Sequence, residues 1–357
     1  MILAAPALAS LLASPGEAQM PSLEQRYRRI CTDAGAGGYQ AFPDVCRCAN
    51  GDLLCVLYAG YGHISGPNEA LPKGARVAAI RSRDEGLSWS EAAVVADTPW
   101  DDRDPHICCL RSGRLIGNFF TYYPAGGPPR AGEPYKEVWV TTSEDHGRTW
   151  SEPECLPTTA GDHFGIGGPV REMPDGRLVM PLYEEFAEPV LRNRSAVICS
   201  EDQGATWSEP IFVDPNANDN DEPDLVALPD RWLCVMRTNH GESMFWSESR
   251  DGGQTWTASQ PIGFFGHAPY LLYTSRKVLL LGHRGPGTSL HYSLDDGRTW
   301  SENVQLDTVG GAYPSMVELS DGRVLVVYYE EGEGSAIRAQ FLRADADGVE
   351  LLPWPGG

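Results

Sequence analysis

The sequence predicts an all-β protein, a six-bladed β-propeller of four-stranded antiparallel blades. Three observations predict it. One short turn motif recurs five times, a proline-anchored pair of strand-like runs recurs six times, and helical periodicity is absent apart from Ser22 to Cys31. The repeats run from about residue 36 to 350, which makes residues 1–35 an N-terminal segment and 36–357 a single propeller domain.

The turn motif is Ser-x-Asp-x-Gly-x-Ser/Thr-Trp, at Ser82–Trp89, Ser143–Trp150, Ser200–Trp207, Ser249–Trp256 and Ser293–Trp300. Each copy closes one apolar run and opens the next, so it reads as a hairpin turn. The Asp accepts hydrogen bonds from the loop backbone, the Gly supplies a position with φ > 0, and the Trp packs beneath. Asp84, Asp145, Asp202, Asp251 and Asp295 are therefore turn braces rather than catalytic acids. The second repeat starts at Pro43, Pro105, Pro169, Pro223, Pro269 and Pro314, with an apolar run, a turn about eight residues on, and another apolar run. The sixth unit has no turn motif after it, and completion of the last blade by a chain terminus is the expected closure of the ring.

Composition excludes some functions. Lys and Arg total 28 against 49 Asp and Glu, and a net charge of -21 repels nucleic-acid phosphates and anionic membranes. Most of the nine Cys, including Cys46, Cys48, Cys55, Cys108, Cys109, Cys199 and Cys234, lie in apolar runs as small buried hydrophobes, without zinc-finger spacing. Free thiols of this kind suit a reducing compartment. No metal or other cofactor is implied. Residues Met1–Ala18 carry the apolar run Ile2–Ala13 with no Lys or Arg before it. The compartment follows from the start site: secreted or periplasmic if that segment is a signal peptide, cytoplasmic if translation begins at Met20.

In a propeller the innermost strand of each blade lines the channel, so residues at equal phase form a ring at its mouth. The position before each proline reads Phe42, Asp104, Gly168, Glu222, Ala268 and Tyr313, and the one before that Ala41, Arg103, Gly167, Asp221, His267 and Ala312. Arg237 and Arg284 close the second strands of blades 4 and 5, 14 and 15 residues past their prolines. Two arginine forks facing one point bind a carboxylate. A Tyr beside a Glu is a candidate nucleophile, because the carboxylate can take the phenolic proton. Ordinary salt bridges across the channel are the alternative.

The stretches Glu222-Pro-Asp-Leu-Val-Ala-Leu-Pro with Arg237 beyond it, Arg284 leading into the fifth turn motif, and Ala312-Tyr313-Pro-Ser-Met-Val-Glu resemble the sialidase (neuraminidase) superfamily. That family's repeated turn is the Asp box and its fold a six-bladed propeller, and the resemblance runs from about Gly38 onward. It implies Tyr313 as nucleophile, Glu222 as its base, Arg237 and Arg284 as carboxylate clamps, and retaining exo-hydrolysis of a terminal acidic sugar on a glycan. Two positions depart from the family pattern. Where the family has Arg-Ile-Pro this chain has Ala41-Phe42-Pro43, and the loop that carries the family's acid/base Asp reads Gly60 to Glu69, with His63 and Glu69 but no Asp. Arg103 stands as the replacement arginine, and Asp104, Asp44 or His63 as the acid. His267 is placed on the substrate-binding side, although for it, as for His106 and His163, a satisfied structural role is the ordinary one. A catalytically silent glycan-binding propeller, or a hydrolase or lyase for another acidic sugar, are the competing expectations. The sequence leaves the oligomeric state open.

Overall fold

The computed structural model describes residues 20–123, 136–157, 163–185, 193–214, 219–239, 241, 243–332 and 334–356, so the apolar N-terminal run and the side chain of His163 lie outside the description. Six antiparallel sheets are arranged as the blades of a propeller. From the channel outward, blade 1 is Tyr39–Arg47, Leu53–Gly60, Arg76–Ser82 and Ala93–Ala96, and blade 2 is Asp101–Cys109, Leu115–Tyr122, Lys136–Ser143 and Glu154–Cys155. Blade 4 is Asn220–Ala227, Trp232–Thr238, Phe245–Ser249 and Gln260–Pro261, and blade 5 is His267–Tyr273, Leu279–Arg284, Thr288–Ser293 and Val304–Asp307. The inner strand of blade 3 is split into His163–Ile166 and Arg171–Glu172, ahead of Leu178–Glu185, Arg194–Ser200 and Ile211–Phe212. Among the described residues no helix is long and apolar enough to cross a membrane.

Blade 6 closes the ring as expected of a chain terminus. Its inner strands are Gly311–Glu318, Arg323–Glu330 and Ala336–Asp345, and Tyr27–Cys31 pairs antiparallel with the third of them, Tyr27 facing Gln340. This strand lies upstream of residue 36, where the repeats begin. It also corrects the helical reading of Ser22 to Cys31: only Leu23–Arg26 is helical, one turn capped by Ser22 and Gln25. A lone turn is marginal in water, whereas the next five residues pair with Ala336–Asp345 at four positions, with a bulge between Arg29 and Cys31, and gain an Arg29–Glu330 ion pair.

Six hydrophobic clusters fill the six seams between neighbouring blades. Trp89, Trp150, Trp207, Trp256 and Trp300 of the turn motifs each pack into a different seam. The sixth seam, between blades 5 and 6, is filled instead by Val349 and Leu351 of the C-terminal strand Gly348–Leu351. Within each motif the first Ser hydroxyl accepts from the Gly N–H and donates to the Asp, as Ser200 does at 2.8 Å to Asp202 and from Gly204. The residue before the Gly is left-handed as well, as in Gln203 (φ 62°) and Gly204 (φ 87°), so each turn needs two consecutive positions with φ > 0. The Thr206 hydroxyl and backbone N–H on Asp202 hold its carboxyl down to about 2. These carboxylates serve the turns, as the motif predicts.

The inner strands share an irregularity that positions the site. Phe42, Asp104, Glu222, Ala268 and Tyr313, each before a proline, adopt φ between 39° and 50°. Register shifts fall at the same places, between Ala41 and Asp44, Arg103 and His106, Asp221 and Asp224, His267 and Tyr270, and Ala312 and Ser315. Each is a β-bulge that breaks the two-residue alternation and turns the pre-proline side chain into the channel. A left-handed non-glycine residue costs about 1 kcal/mol or more, and five of them converge on one end of the channel. Blade 3 has Gly168 at this phase. A Cβ on its neighbour Gly167 would lie 2.2 Å from the carbonyl oxygen of Pro223, so glycine is needed where blades 3 and 4 meet.

Candidate active site at the channel mouth

Phe42, Asp104, Gly167, Glu222, Ala268 and Tyr313 line a single cavity with about 420 Å³ of open space. Three candidate side chains come from alternate blades, Asp104 from blade 2, Glu222 from blade 4 and Tyr313 from blade 6. The odd blades present Phe42, Gly168 and Ala268, which leave room between them.

Tyr313 Oη donates to Glu222 Oε1 at 2.7 Å, and Arg237 Nη1 reaches the same oxygen at 2.8 Å. Glu222 Oε2 is buried without a hydrogen-bond partner among the described residues. Burial works to raise the Glu222 carboxyl, but Arg237, the Tyr313 hydroxyl and Arg284 outweigh it and hold the group below its ordinary 4.5. Burial and the Glu222 charge push the Tyr313 phenol well above its ordinary 10 against the pull of Arg237. The resting pair is thus a neutral phenol donating to a carboxylate. Arg284 stands with Cζ 5.2 Å over the Tyr313 ring and donates to His267 Nδ1 at 3.2 Å. Because guanidinium only donates, His267 accepts through Nδ1 and carries its proton on Nε2. Burial and the two arginines keep this ring neutral.

Asp104 is buried, and its Oδ1 has no hydrogen-bond partner among the described residues. Burial raises its carboxyl above the ordinary 3.8, Arg103 opposes this, and the Glu222 charge adds to it. A raised acid with an open oxygen in the cavity is placed to give a proton to a bound molecule.

The remaining predicted residues divide. Arg103 lies with Cζ 5.5 Å over the Phe42 ring, so a cation from blade 2 sits beside the position where the family carries its first arginine. Its Nη2 contacts His63 Nε2 at 3.3 Å, and His63 Nδ1 meets the Tyr39 hydroxyl at 3.2 Å, which in turn donates to Glu331 at 2.8 Å. Both ring nitrogens of His63 are therefore engaged and Nε2 faces a donor, which removes the histidine from the acid role expected of it. Asp44 is corrected too. It is fully buried and accepts from the Ser315 hydroxyl at 2.5 Å, the Ile107 N–H at 2.9 Å and His106 at 3.2 Å, bracing blades 6, 1 and 2. His106, which contacts Asp44, also lines the cavity.

One ring was missed. Tyr58, Phe120, Tyr183, Arg237, Arg284 and Tyr329 face, respectively, Ala41, Arg103, Gly165, Asp221, His267 and Ala312 in the sheet registers. All six stand 14 or 15 residues past a proline, so the rule that picks out Arg237 and Arg284 picks out Tyr183 as well. Gly165 makes room for it, since a Cβ there would fall 2.3 Å from the Tyr183 ring. Tyr183 is close enough to Arg103 and Arg237 to bear on the charge of both.

With fold and site in view, the BNR repeat-like domain family matches residues 72–326. The chain belongs to this family of sialidase-superfamily propellers. This BNR-repeat propeller is similar to a sialidase of Paraclostridium sordellii, 27% identical over 208 residues that cover 52% of this chain and 50% of that protein. It spans half or less of the length of the curated sialidases it matches. Its fold superposes on a Dyadobacter fermentans protein of unknown function with a TM-score of 0.74, at 20% identity, covering 91% of this chain and 99% of that one. A Hadza microbial sialidase follows at 0.70 and 19%, covering 88% and 68%. At these identities the structural likeness speaks for the fold alone.

Proposed function

We propose that this BNR-repeat propeller is a retaining exo-glycosidase that removes a terminal acidic sugar from a glycan, with Tyr313 as nucleophile. The observation that carries the reading is the 2.7 Å hydrogen bond from Tyr313 to a carboxylate also held by Arg237. The sialidase names of the relatives support it. A sugar with a carboxylate beside its anomeric carbon repels a carboxylate nucleophile, whereas a neutral phenol approaches without that penalty.

In the first step the phenolic oxygen bonds to the anomeric carbon, its proton passes to Glu222, and the glycosidic bond breaks as Asp104 gives its proton to the leaving oxygen. In the second step Asp104 takes a proton from water, the water oxygen displaces the tyrosyl oxygen, and Glu222 returns the proton to Tyr313. Arg284, which among the described residues hydrogen-bonds through its side chain to His267, and the His267 Nε2–H face the substrate as donors, with Arg103 supplying positive charge from the Phe42 side. Phe42 in place of an arginine favours a second reading, a silent propeller that binds acidic glycans without cleaving them.

A fluorogenic sialoside and uronoside panel separates the two. Turnover is expected to be greatest in acid, because the active form needs Glu222 ionised, with its value below 4.5, and Asp104 protonated, with its value above 3.8. As pH rises through the Asp104 value, kcat/KM falls. Binding with no hydrolysis of any member at any pH is the result the silent reading requires, and it would end the glycosidase proposal.

A further inference from the structure

The repeat phase isolates one residue away from the channel. Three positions before the first Ser of each turn motif, the third strands carry Ala79, Val140, Val197 and Leu290 in blades 1, 2, 3 and 5, all buried. Blade 4 carries Trp246 there, and it is only part-buried. A small aliphatic side chain satisfies this position in four blades, whereas the indole of Trp246 packs in part against the core between blades 4 and 5 and presents the rest of its surface to a groove. Trp246 opens onto a groove between blades 4 and 5, lined also by Arg231, Glu248, Arg250, Arg298 and Trp300, with about 810 Å³ of open space. The outer strand of blade 4, Gln260–Pro261, is two residues long, and Pro261 forms part of the groove wall. Antiparallel pairing puts it at the turn-motif end of the blades, opposite the cavity holding Tyr313.

The groove's charges are balanced. Arg231 pairs with Asp230 and Glu248 at 2.9 and 2.8 Å, Arg250 with Glu248 at 3.1 Å, and Arg298 lies near Asp230 and Asp296 at 3.6 and 3.8 Å. Three cations against three carboxylates leave no net field to recruit an ion. They do hold fixed donors and acceptors beside two indoles, and Arg250 and Arg298 are 62% and 57% exposed. Flat aromatic faces stack on the C–H face of a pyranose, while ion-paired side chains hydrogen-bond its hydroxyls without desolvating an unpaired charge. We infer that this groove is a second carbohydrate site, which holds a neutral pyranose segment of a glycan remote from the channel mouth.

The test uses the full chain and four neutral probes, lactose, maltotetraose, cellotetraose and xylotetraose, followed by saturation-transfer NMR and calorimetry. At least one probe is expected to bind, and Trp246→Leu, which installs the residue blade 5 carries, is expected to weaken it by about tenfold or more in a variant that still unfolds in one cooperative transition. Arg298→Ala, at an exposed position, is expected to weaken binding several-fold and serves if the Trp246 variant does not fold. Binding is also expected to persist in Tyr313→Phe, which separates this site from the channel whether or not the protein is a glycosidase. Absence of binding by all four probes, equal binding by the groove variants, or loss in Tyr313→Phe would each overturn the inference.

Discussion

Replacing Tyr313 by Phe is expected to lower kcat by roughly 10⁴-fold or more, the scale seen when a covalent nucleophile is removed. The substitution deletes one oxygen. The ring keeps its edge contacts with Phe42 and Tyr329, at 5.1 and 6.1 Å between centroids, and the Arg284 guanidinium above it. Glu222 keeps Arg237 at 2.8 Å. The lost hydrogen bond costs about 1 kcal/mol, a shift of only about 2 °C in the unfolding midpoint of a chain this size. Near-complete loss of turnover with near-complete retention of stability is the signature of a nucleophile. Activity within tenfold of wild type would remove Tyr313 from that role.

Asp104→Asn is expected to lower kcat/KM by about 10² to 10⁴ on a natural glycan and by far less on an aryl glycoside whose leaving group departs without a proton. The alkaline fall in activity should disappear with it. Stability should move the other way. A carboxyl whose folded value lies above its unfolded 3.8 favours the folded state while protonated, and that contribution is lost as pH rises through the folded value. Above that value the ionised Asp104 carboxylate therefore weakens the fold, and an isosteric neutral amide relieves it. Equal loss on both substrate classes, with the alkaline limb intact, would place the acid elsewhere.

Much of this was legible in the chain because a propeller repeats its phase. The turn motifs marked the third-to-fourth strand hairpins, and the residue before each proline marked the ring, so Asp104, Glu222 and Tyr313 were found by counting. What was not legible depends on geometry that counting ignores. Asp44 lies two residues from Phe42 and would share its face in a regular strand; the bulge between Ala41 and Asp44 breaks that alternation and sends Asp44 into the blade contacts instead. The value of His63 was hidden because its partners, Tyr39 and Arg103, come from different strands. The strand Tyr27–Cys31 pairs with residues some 300 positions away, which no local pattern near the N-terminus reveals.

A nucleophilic Tyr313 forms a covalent bond to the sugar during turnover. Incubation of the wild-type chain with a sialosyl fluoride fluorinated next to its anomeric carbon, which slows release of the intermediate, followed by peptide mass spectrometry, tests it directly. A single glycosyl adduct is expected, on Tyr313 and absent from Tyr313→Phe. An adduct on Asp104 or Glu222, or turnover of this reagent through an inverted product with no adduct at any time, would contradict it.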